Sequence, residues 1–473
     1  MNLLKTKSMM LWMGPLVACL IGLGVSVLIE PTQGVDANLA GWTAGVTVLC
    51  AFWWITEPIP IPVTALIPMV VFPITGVLSE LDVAASYGHH LVLLFFSGFI
   101  LSKAMEKSGA HRRLALGMVR IAGGRGGRRL VLGFMMAAAF LSMWISNTAA
   151  ALMLLPVVLA VIEQSREKEL AVPLLLGVAY GASIGGMGTP IGTPANAIFL
   201  AQCEELVRSG QLESSRSFLG WMALGVPVVI CMLPLAWLWL TRNLVTQEEL
   251  AIPESGKWTS AEVRILTVFG VTALLWMTRK EPFGGWSELI GNGSIKDSTV
   301  GLAAVVVLFL VPSGGSSRER LLDWETAVKI PWGILILFGG GITIAKGFSS
   351  SGLALVLAQE MGGLAGLPVL LMIVAISLMM TFMTEVTSNT ATATLVVPLM
   401  AAVALGAGIR PELLMAPAAL SASCAFMLPV ATPPNAIVFS QGCITVKQMA
   451  REGLVLNLVG VVVISFFCWV FLS

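Results

Sequence analysis

The sequence predicts an all-α polytopic membrane protein of about eleven transmembrane helices plus two re-entrant helical hairpins, folded as an inverted repeat. Three observations carry that prediction. The 473 residues are 57% hydrophobic and only 11% charged, against about 25% charged residues in soluble domains, and mean hydropathy is +0.90. Apolar stretches of 18 residues or more recur, each long enough to cross a hydrocarbon core as a helix. A polar triplet, Ser146-Asn147-Thr148, interrupts one apolar segment and recurs as Ser388-Asn389-Thr390 in another.

The apolar runs place crossings near 9–29, 40–57, 60–78, 90–104, 173–201, 218–241, 262–278, 298–312, 332–348, 412–440 and 453–472. Segments 130–162 and 367–407 are too long for one helix, and each is cut by a triplet. Each reads as a hairpin that enters and leaves on the same side. The 48 glycines and 24 prolines suit broken or closely packed membrane helices. Lys5 and Lys7 precede the first run, and no small-residue cleavage pattern follows it before Glu30. Residues 1–35 therefore read as a retained N-terminal transmembrane helix.

Charge sets the orientation. Residues 104–129 hold seven Lys/Arg against one Glu, and short loops rich in Lys/Arg stay cytoplasmic. Eleven crossings then put the N-terminus inside and the C-terminus outside. Loops 241–261, 313–331 and 441–452 also fall inside, with Arg242, Lys257, Arg318, Arg320, Lys329, Lys447 and Arg451. Net charge is +1, which gives no reason to expect a nucleic-acid partner. The seven scattered cysteines read as small core residues, with no disulfide or metal role.

Internal repetition divides the chain. Phe95, Gly98, Lys103, Ser108 and Gly109 match Phe338, Gly341, Lys346, Ser351 and Gly352 at an offset of 243. The triplets and Pro156/Pro398 match at 242, and Thr193-Pro194-x-Asn196 matches Thr432-Pro433-x-Asn435 at 239. Residues 347–372 carry no Lys or Arg, unlike the corresponding 104–129, so the two copies face opposite ways. Residues 36–245 and 246–473 are thus read as inverted repeats. Their hairpins are 130–162 and 367–407, and their broken helices 173–201 and 412–440. Secondary transporters are commonly built this way, with the site near the midplane where the repeats meet.

Backbone groups inside a membrane must be satisfied within the protein, so a break is tolerated only where it is buried or lines a cavity. A hairpin tip exposes the carbonyls that end one arm and the N–H groups that begin the next. The N–H end suits an oxyanion such as a carboxylate, and the carbonyl end suits Na⁺. Ser, Asn and Thr are good helix caps. Thr193 and Thr432 stand where N-caps are expected, with Pro194 and Pro433 at the first helical position. Hairpins 130–162 and 367–407 contain no Lys or Arg, so an anion there must be balanced by co-bound cations.

Blander readings compete. A lone triplet serves equally as interhelical hydrogen-bond glue; two at equivalent positions favour a site. Glu385, inside the membrane, is read equally as functional or as fixing hairpin geometry. Glu57 is read as scaffold. His89, His90 and His111 lack metal-ligand spacing and are read as interfacial. Asn292-Gly-Ser294 fits a glycosylation pattern that is common by chance. No GxSxG, HExxH or paired membrane aspartates occur, so the chain is not read as an enzyme. A channel is disfavoured by dead-end tips at the midplane.

The triplet pair, "GTPIGTPAN" with "ATPPN", and "ITEPIPIPVTALIP" (55–68) together resemble the divalent anion–sodium symporter family over nearly the whole chain. The resemblance implies an elevator-type, Na⁺-coupled carrier of dicarboxylates, and a homodimer in a bacterial inner membrane. Succinate, malate or fumarate would be the substrate; a Na⁺-independent di/tricarboxylate exchanger and a sulfate carrier are the alternatives. It further implies that Ser146, Asn147, Thr148, Ser388, Asn389 and Thr390 face the substrate, closed off by Thr193, Pro194, Thr432 and Pro433. At least two Na⁺ sites are expected, one from Ser142, Ser146, Asn147 and the backbone at Gly192. The other would use Thr384, Thr387, Asn389 and the backbone at Ala431. Where family members often carry Pro-Pro-Asn, this chain has Pro194-Ala195-Asn196.

Overall fold

Local stop and start signals cut the apolar sequence into twenty-three α-helices among the described residues of the computed structural model. It describes residues 2–29, 34–122, 126–165, 168–244, 256–281, 283–314, 319–360 and 366–473. Arg125 and Arg318, counted above for orientation, lie outside them. Nine helical stretches among the described residues are long and apolar enough to cross a membrane.

α1 (Asn2–Leu28) lies against α2 (Ala37–Thr56). Asp36 caps α2 through the amides of Asn38 and Leu39, and Glu57 ends it with φ 45°. The span expected as one crossing over 60–78 is instead two short helices, α3 (Ile61–Thr64) and α4 (Ile67–Thr75). Pro60, Pro62, Pro68 and Pro73 remove the amides a continuous helix needs. α5 (Glu80–Tyr87) leads into α6 (His90–Ser108), which Gly109 ends at φ 76°. The basic loop holds a helix that the sequence reading left out, α7 (Ala110–Ala122). Its buried Ala115, Leu116 and Val119 sit at helical spacing.

Both segments cut by triplets are two helices joined by a tight turn. These are α8 (Gly127–Ser142) with α9 (Asn147–Gln164), and, later, α19 (Val369–Met383) with α20 (Asn389–Gly406). Both broken spans are interrupted where expected. α10 (Ala171–Gly186) gives way to α11 (Pro194–Arg208), and α21 (Glu412–Ser421) to α22 (Pro433–Phe439). The other helices are α12 (Phe218–Leu240), α13 (Ser260–Met277), α14 (Gly285–Leu289), α15 (Asp297–Leu310), α16 (Trp324–Ala327), α17 (Trp332–Ser350), α18 (Leu353–Glu360) and α23 (Val446–Leu472).

α8 and α10 run side by side in the same direction, because Gly181 and Gly185 present no side chain to α8. A Cβ on Gly181 would lie 2.8 Å from the Met135 carbonyl oxygen, and one on Gly185 would lie 2.1 Å from that of Ala139. Close approach at small residues is how membrane helices pack without a hydrophobic driving force. Gly185→Leu should therefore destabilise the protein by about 3 kcal/mol through overpacking. Gly117 on α7 has nothing within 4 Å of its Cβ position, so Gly117→Leu should leave the melting temperature in detergent within error of wild type.

The loops that the basic-residue count groups together come together in space. Lys107 pairs with Asp323 at 2.5 Å, and this pairing holds the Asp323 carboxyl down to about 2. Arg113 pairs with Glu262 at 2.9 Å and donates to the carbonyls of Gly256 and Lys257. Arg128 donates to those of Thr241 and Arg242, and Arg242 pairs with Glu452 at 2.7 Å. The loops assigned to the other face form a second set, with Arg216 paired to Glu412 and Arg279 to Asp297. The Lys107–Asp323 pair is exposed enough to contribute only about 0–1 kcal/mol, whereas Glu262, Glu412, Glu452 and Arg279 are largely buried, so that removing one partner would strand a buried charge.

Candidate substrate and cation site

The sequence of each tip dictates its geometry. α8 ends at Ser142, and Ser146 caps α9 by accepting from the Ala149 amide at 3.2 Å. Ser388 occupies the same place on α20, with the Ala391 amide at 3.5 Å. The Ser142 hydroxyl donates to Asn147 Oδ1 at 2.5 Å, and the Thr384 hydroxyl donates to Asn389 Oδ1 at 2.5 Å. Each asparagine thus has its oxygen turned to the end of the first arm. Among the described residues, no hydrogen-bond partner is found for the Nδ2 of Asn147 or Asn389, nor for the hydroxyls of Thr148 and Thr390. All four residues are half-buried. None of these donors is among the buried atoms without a partner, so they are open to a ligand, and they sit at two helix N-termini, which carry partial positive charge.

The breaks repeat the same local solution. Asn196 Nδ2 donates to the carbonyls of Gly186 at 2.9 Å and Thr189 at 2.7 Å. Asn435 Nδ2 donates to those of Ala425 at 2.9 Å and Leu428 at 3.1 Å. In each half one asparagine reaches back ten and seven residues to satisfy carbonyls that the interrupted helix leaves open. The constant Thr-Pro-x-Asn spacing carried that signal, although the sequence reading assigned these asparagines no role. Thr432 caps α22 through the Asn435 amide at 3.3 Å. Thr193 holds the N-cap position of α11, but its side chain makes no capping bond; it donates to Asn196 Oδ1 at 3.3 Å. The cap expected of Thr193 is thus replaced by a side-chain contact. Pro194 and Pro433 begin their helices as expected.

Each tip abuts the break of its own half. A Cβ on Gly186 would lie 2.6 Å from the Thr193 methyl and 2.8 Å from Asn147 Oδ1. One on Gly192 would lie 2.3 Å from the Gly186 carbonyl oxygen. Ser142, Asn147 and Gly192, three of the four positions expected to hold one cation, therefore gather around Gly186. The fourth, Ser146, has its hydroxyl at the helix cap. In the second half Thr384 joins Asn389 and also reaches the Ala422 carbonyl at 3.0 Å. Thr387 instead contacts Thr392 at 2.6 Å and the Met383 carbonyl at 2.7 Å. The Ala431 amide donates to the Leu428 carbonyl; of that set, Thr384 and Asn389 are in direct contact.

Glu385 is buried, and both its oxygens are engaged. It accepts from the amides of Met427 at 2.8 Å and Leu428 at 3.0 Å, and from Asn457 Nδ2 at 2.7 Å. At the corresponding place in the first half, the Met143 carbonyl accepts from the Thr189 hydroxyl. Both contacts tie a tip to a break. Of the two readings of Glu385, these are the contacts of a positioning residue.

The halves lean on each other reciprocally. α9 packs on α22, and α20 packs on α11. The Tyr180 hydroxyl on α10 donates to the Phe426 carbonyl at 2.7 Å, with the two rings edge to face at 5.1 Å. His89 and His90, judged to lack ligand spacing, share Glu204 from α11. A partner 114 residues away is invisible to local spacing.

The arrangement can hold an anion at two helix N-termini and a hard cation among hydroxyl, amide and backbone oxygens. Known proteins agree on the broad class. A sodium-dependent dicarboxylate transporter of Staphylococcus saprophyticus is 38% identical over 461 residues, spanning 93% of this chain and 87% of the relative. One of Staphylococcus aureus strain NCTC 8325 is 38% identical over 449 residues, spanning 89% and 84%. The solved YdaH transporter of Alcanivorax borkumensis shares the fold, with a TM-score of 0.57 at 15% identity over 82% of this chain and 87% of that one. The family model described as the sodium:sulfate symporter transmembrane region matches residues 10–473, and the chain belongs to that family, the divalent anion–sodium symporters of membrane transport.

Proposed function

We propose that this protein carries a C4-dicarboxylate, such as succinate, malate or fumarate, into a bacterial cell together with Na⁺. The observation that carries this reading is the pair of triplets, each with an unpaired asparagine amide and threonine hydroxyl at a helix N-terminus. Each triplet takes one carboxylate. The names of the staphylococcal relatives support Na⁺ and a dicarboxylate as cargo.

Coupling follows from the asparagines. In each, Oδ1 already faces a hydroxyl at the end of the first arm. A Na⁺ bound there, with backbone oxygens near Gly192 or Ala431, fixes the side chain so that Nδ2 points at the carboxylate. Cation binding thus orders the anion site and offsets its charge. Thr193, Pro194, Thr432 and Pro433 close the site from the breaks.

Movement is of the elevator kind, within a homodimer. α8–α12 and α19–α23 travel against α1–α7 and α13–α18. The small-residue face of α17 supports this, since it packs on both α11 and α20, and a Cβ on Gly341 would lie 2.3 Å from the Thr394 methyl. The basic loops face the cytoplasm, with the N-terminus inside and the C-terminus outside.

Purified protein in proteoliposomes tests the reading, with labelled succinate outside and either Na⁺ or choline as the external cation. The expected result is uptake into empty vesicles only with Na⁺, blocked by excess malate and not by sulfate. Uptake only into succinate-preloaded vesicles, regardless of Na⁺, would establish exchange and withdraw both Na⁺ sites. Block by sulfate at lower concentration than malate would reassign the anion.

A further inference from the structure

We propose that His89, His90 and Glu204 form a binding site for a divalent transition-metal ion of the zinc class. Two imidazoles and a carboxylate are a donor set that suits Zn²⁺ and its neighbours, not Na⁺ or Mg²⁺. The residues come from different parts of the fold. His89 caps α6 and His90 begins it, whereas Glu204 lies on α11. One ligand atom from each lies within 4.8 Å of the others. Glu204 Oε2 is 2.5 Å from His90 Nε2 and 3.6 Å from His89 Nε2. Ligand atoms around a tetrahedral zinc, at bonds of about 2.0–2.1 Å, stand about 3.3 Å apart. The His89 edge is already near that value, and the His90 edge must open by less than an ångström. The metal replaces the proton shared by His90 and Glu204, and that proton leaves to water; on His89 the Nε2 proton moves to Nδ1, and the weak 3.4 Å cap from the Leu91 amide opens.

Two further features point the same way. The Nε2 atoms of both rings face Glu204, while His90 Nδ1, buried with no partner among the described residues, keeps the proton that a neutral ligating ring must carry. The three side chains keep 9%, 22% and 19% exposure for His89, His90 and Glu204, which admits an ion from water and leaves room for a fourth, solvent ligand. Lys296 Nζ stands 3.7 Å from Glu204 Oε1 and occupies the carboxylate when no metal is bound. A metal here would bridge α6 to α11, across the boundary between the fixed and travelling groups. That consequence for transport rests on the elevator reading; the binding site does not.

The test uses purified full-length protein and Co²⁺ as the spectroscopic probe. Visible absorption of near-tetrahedral Co²⁺ is expected, displaced by Zn²⁺ at one equivalent. Glu204→Gln and His90→Gln should each weaken the metal by at least about 10–100-fold, while His111→Gln leaves it unchanged. Lys296→Gln should bind several-fold more tightly, a gain that a merely damaged fold does not produce. No Zn²⁺-displaceable band in wild type, or equal affinity in wild type, Glu204→Gln and His90→Gln, overturns the site. Read separately, Zn²⁺ should inhibit Na⁺-driven succinate uptake in wild type and not in Glu204→Gln. A protein that binds Co²⁺ at this site yet takes up no succinate upholds the site and defeats the transport reading instead.

Discussion

Asn147→Asp and Asn389→Asp should each abolish dicarboxylate uptake while leaving Na⁺ binding intact or tighter. The substitution keeps Oδ1, which faces Ser142 or Thr384 at 2.5 Å, and replaces the neighbouring donor with a carboxylate oxygen. On the side where the anion sits, a hydrogen-bond donor becomes a negative charge. Two like charges about 4 Å apart at an effective dielectric near 20 repel by about 4 kcal/mol, which is close to a thousandfold in affinity. On the side where Na⁺ sits, the same change adds attraction. The two readouts should therefore move apart: succinate uptake falls to background, and Na⁺-dependent protection against thermal unfolding persists or grows. A general loss of fold would lower both together. Uptake at wild-type affinity in both variants would remove the triplets from the substrate site.

The double use proposed for each asparagine was already implied by the resemblance, because the signals around it are local. The repeated Ser-Asn-Thr at a constant offset, the Thr-Pro pairs and the basic loops are local or periodic signals. They foretold the turns, the two interruptions and the grouping of the charged loops. What the sequence could not supply are contacts between segments far apart in the chain. Glu385 reads equally as functional or as fixing hairpin geometry until Met427, Leu428 and Asn457 are seen to meet it. His89 and His90 read as interfacial until Glu204 arrives from α11. The split of 60–78 was missed for a different reason. Hydropathy averages over prolines, whereas the missing amides at Pro60, Pro62, Pro68 and Pro73 act one by one. Thr387, assigned to a cation by motif, also meets the Met383 carbonyl and Thr392, contacts its place in the motif did not announce.

Glu385→Ala should be among the most damaging single substitutions in the protein. Removing the carboxylate leaves three donors without acceptors: the part-buried Met427 and Leu428 amides and the buried Asn457 side chain. Each unsatisfied buried group costs about 1–3 kcal/mol, and no water from the bilayer core is at hand to replace the bonds. The sum, about 3–5 kcal/mol after partial relaxation, is a large share of a typical folding free energy. The expected result is a steep fall in monodisperse protein and in melting temperature, with transport lost as a consequence. Glu385→Gln separates the two readings of this acid. The amide retains one acceptor oxygen, which can serve two of the three donors, so part of the lost stability should return. If Glu385 only positions the break, uptake should recover along with the fold, and its Na⁺ dependence should match wild type. Restored folding with no uptake would mean that the negative charge itself takes part in moving the cation or the anion. Glu385 would then join the coupling site rather than the frame that holds it.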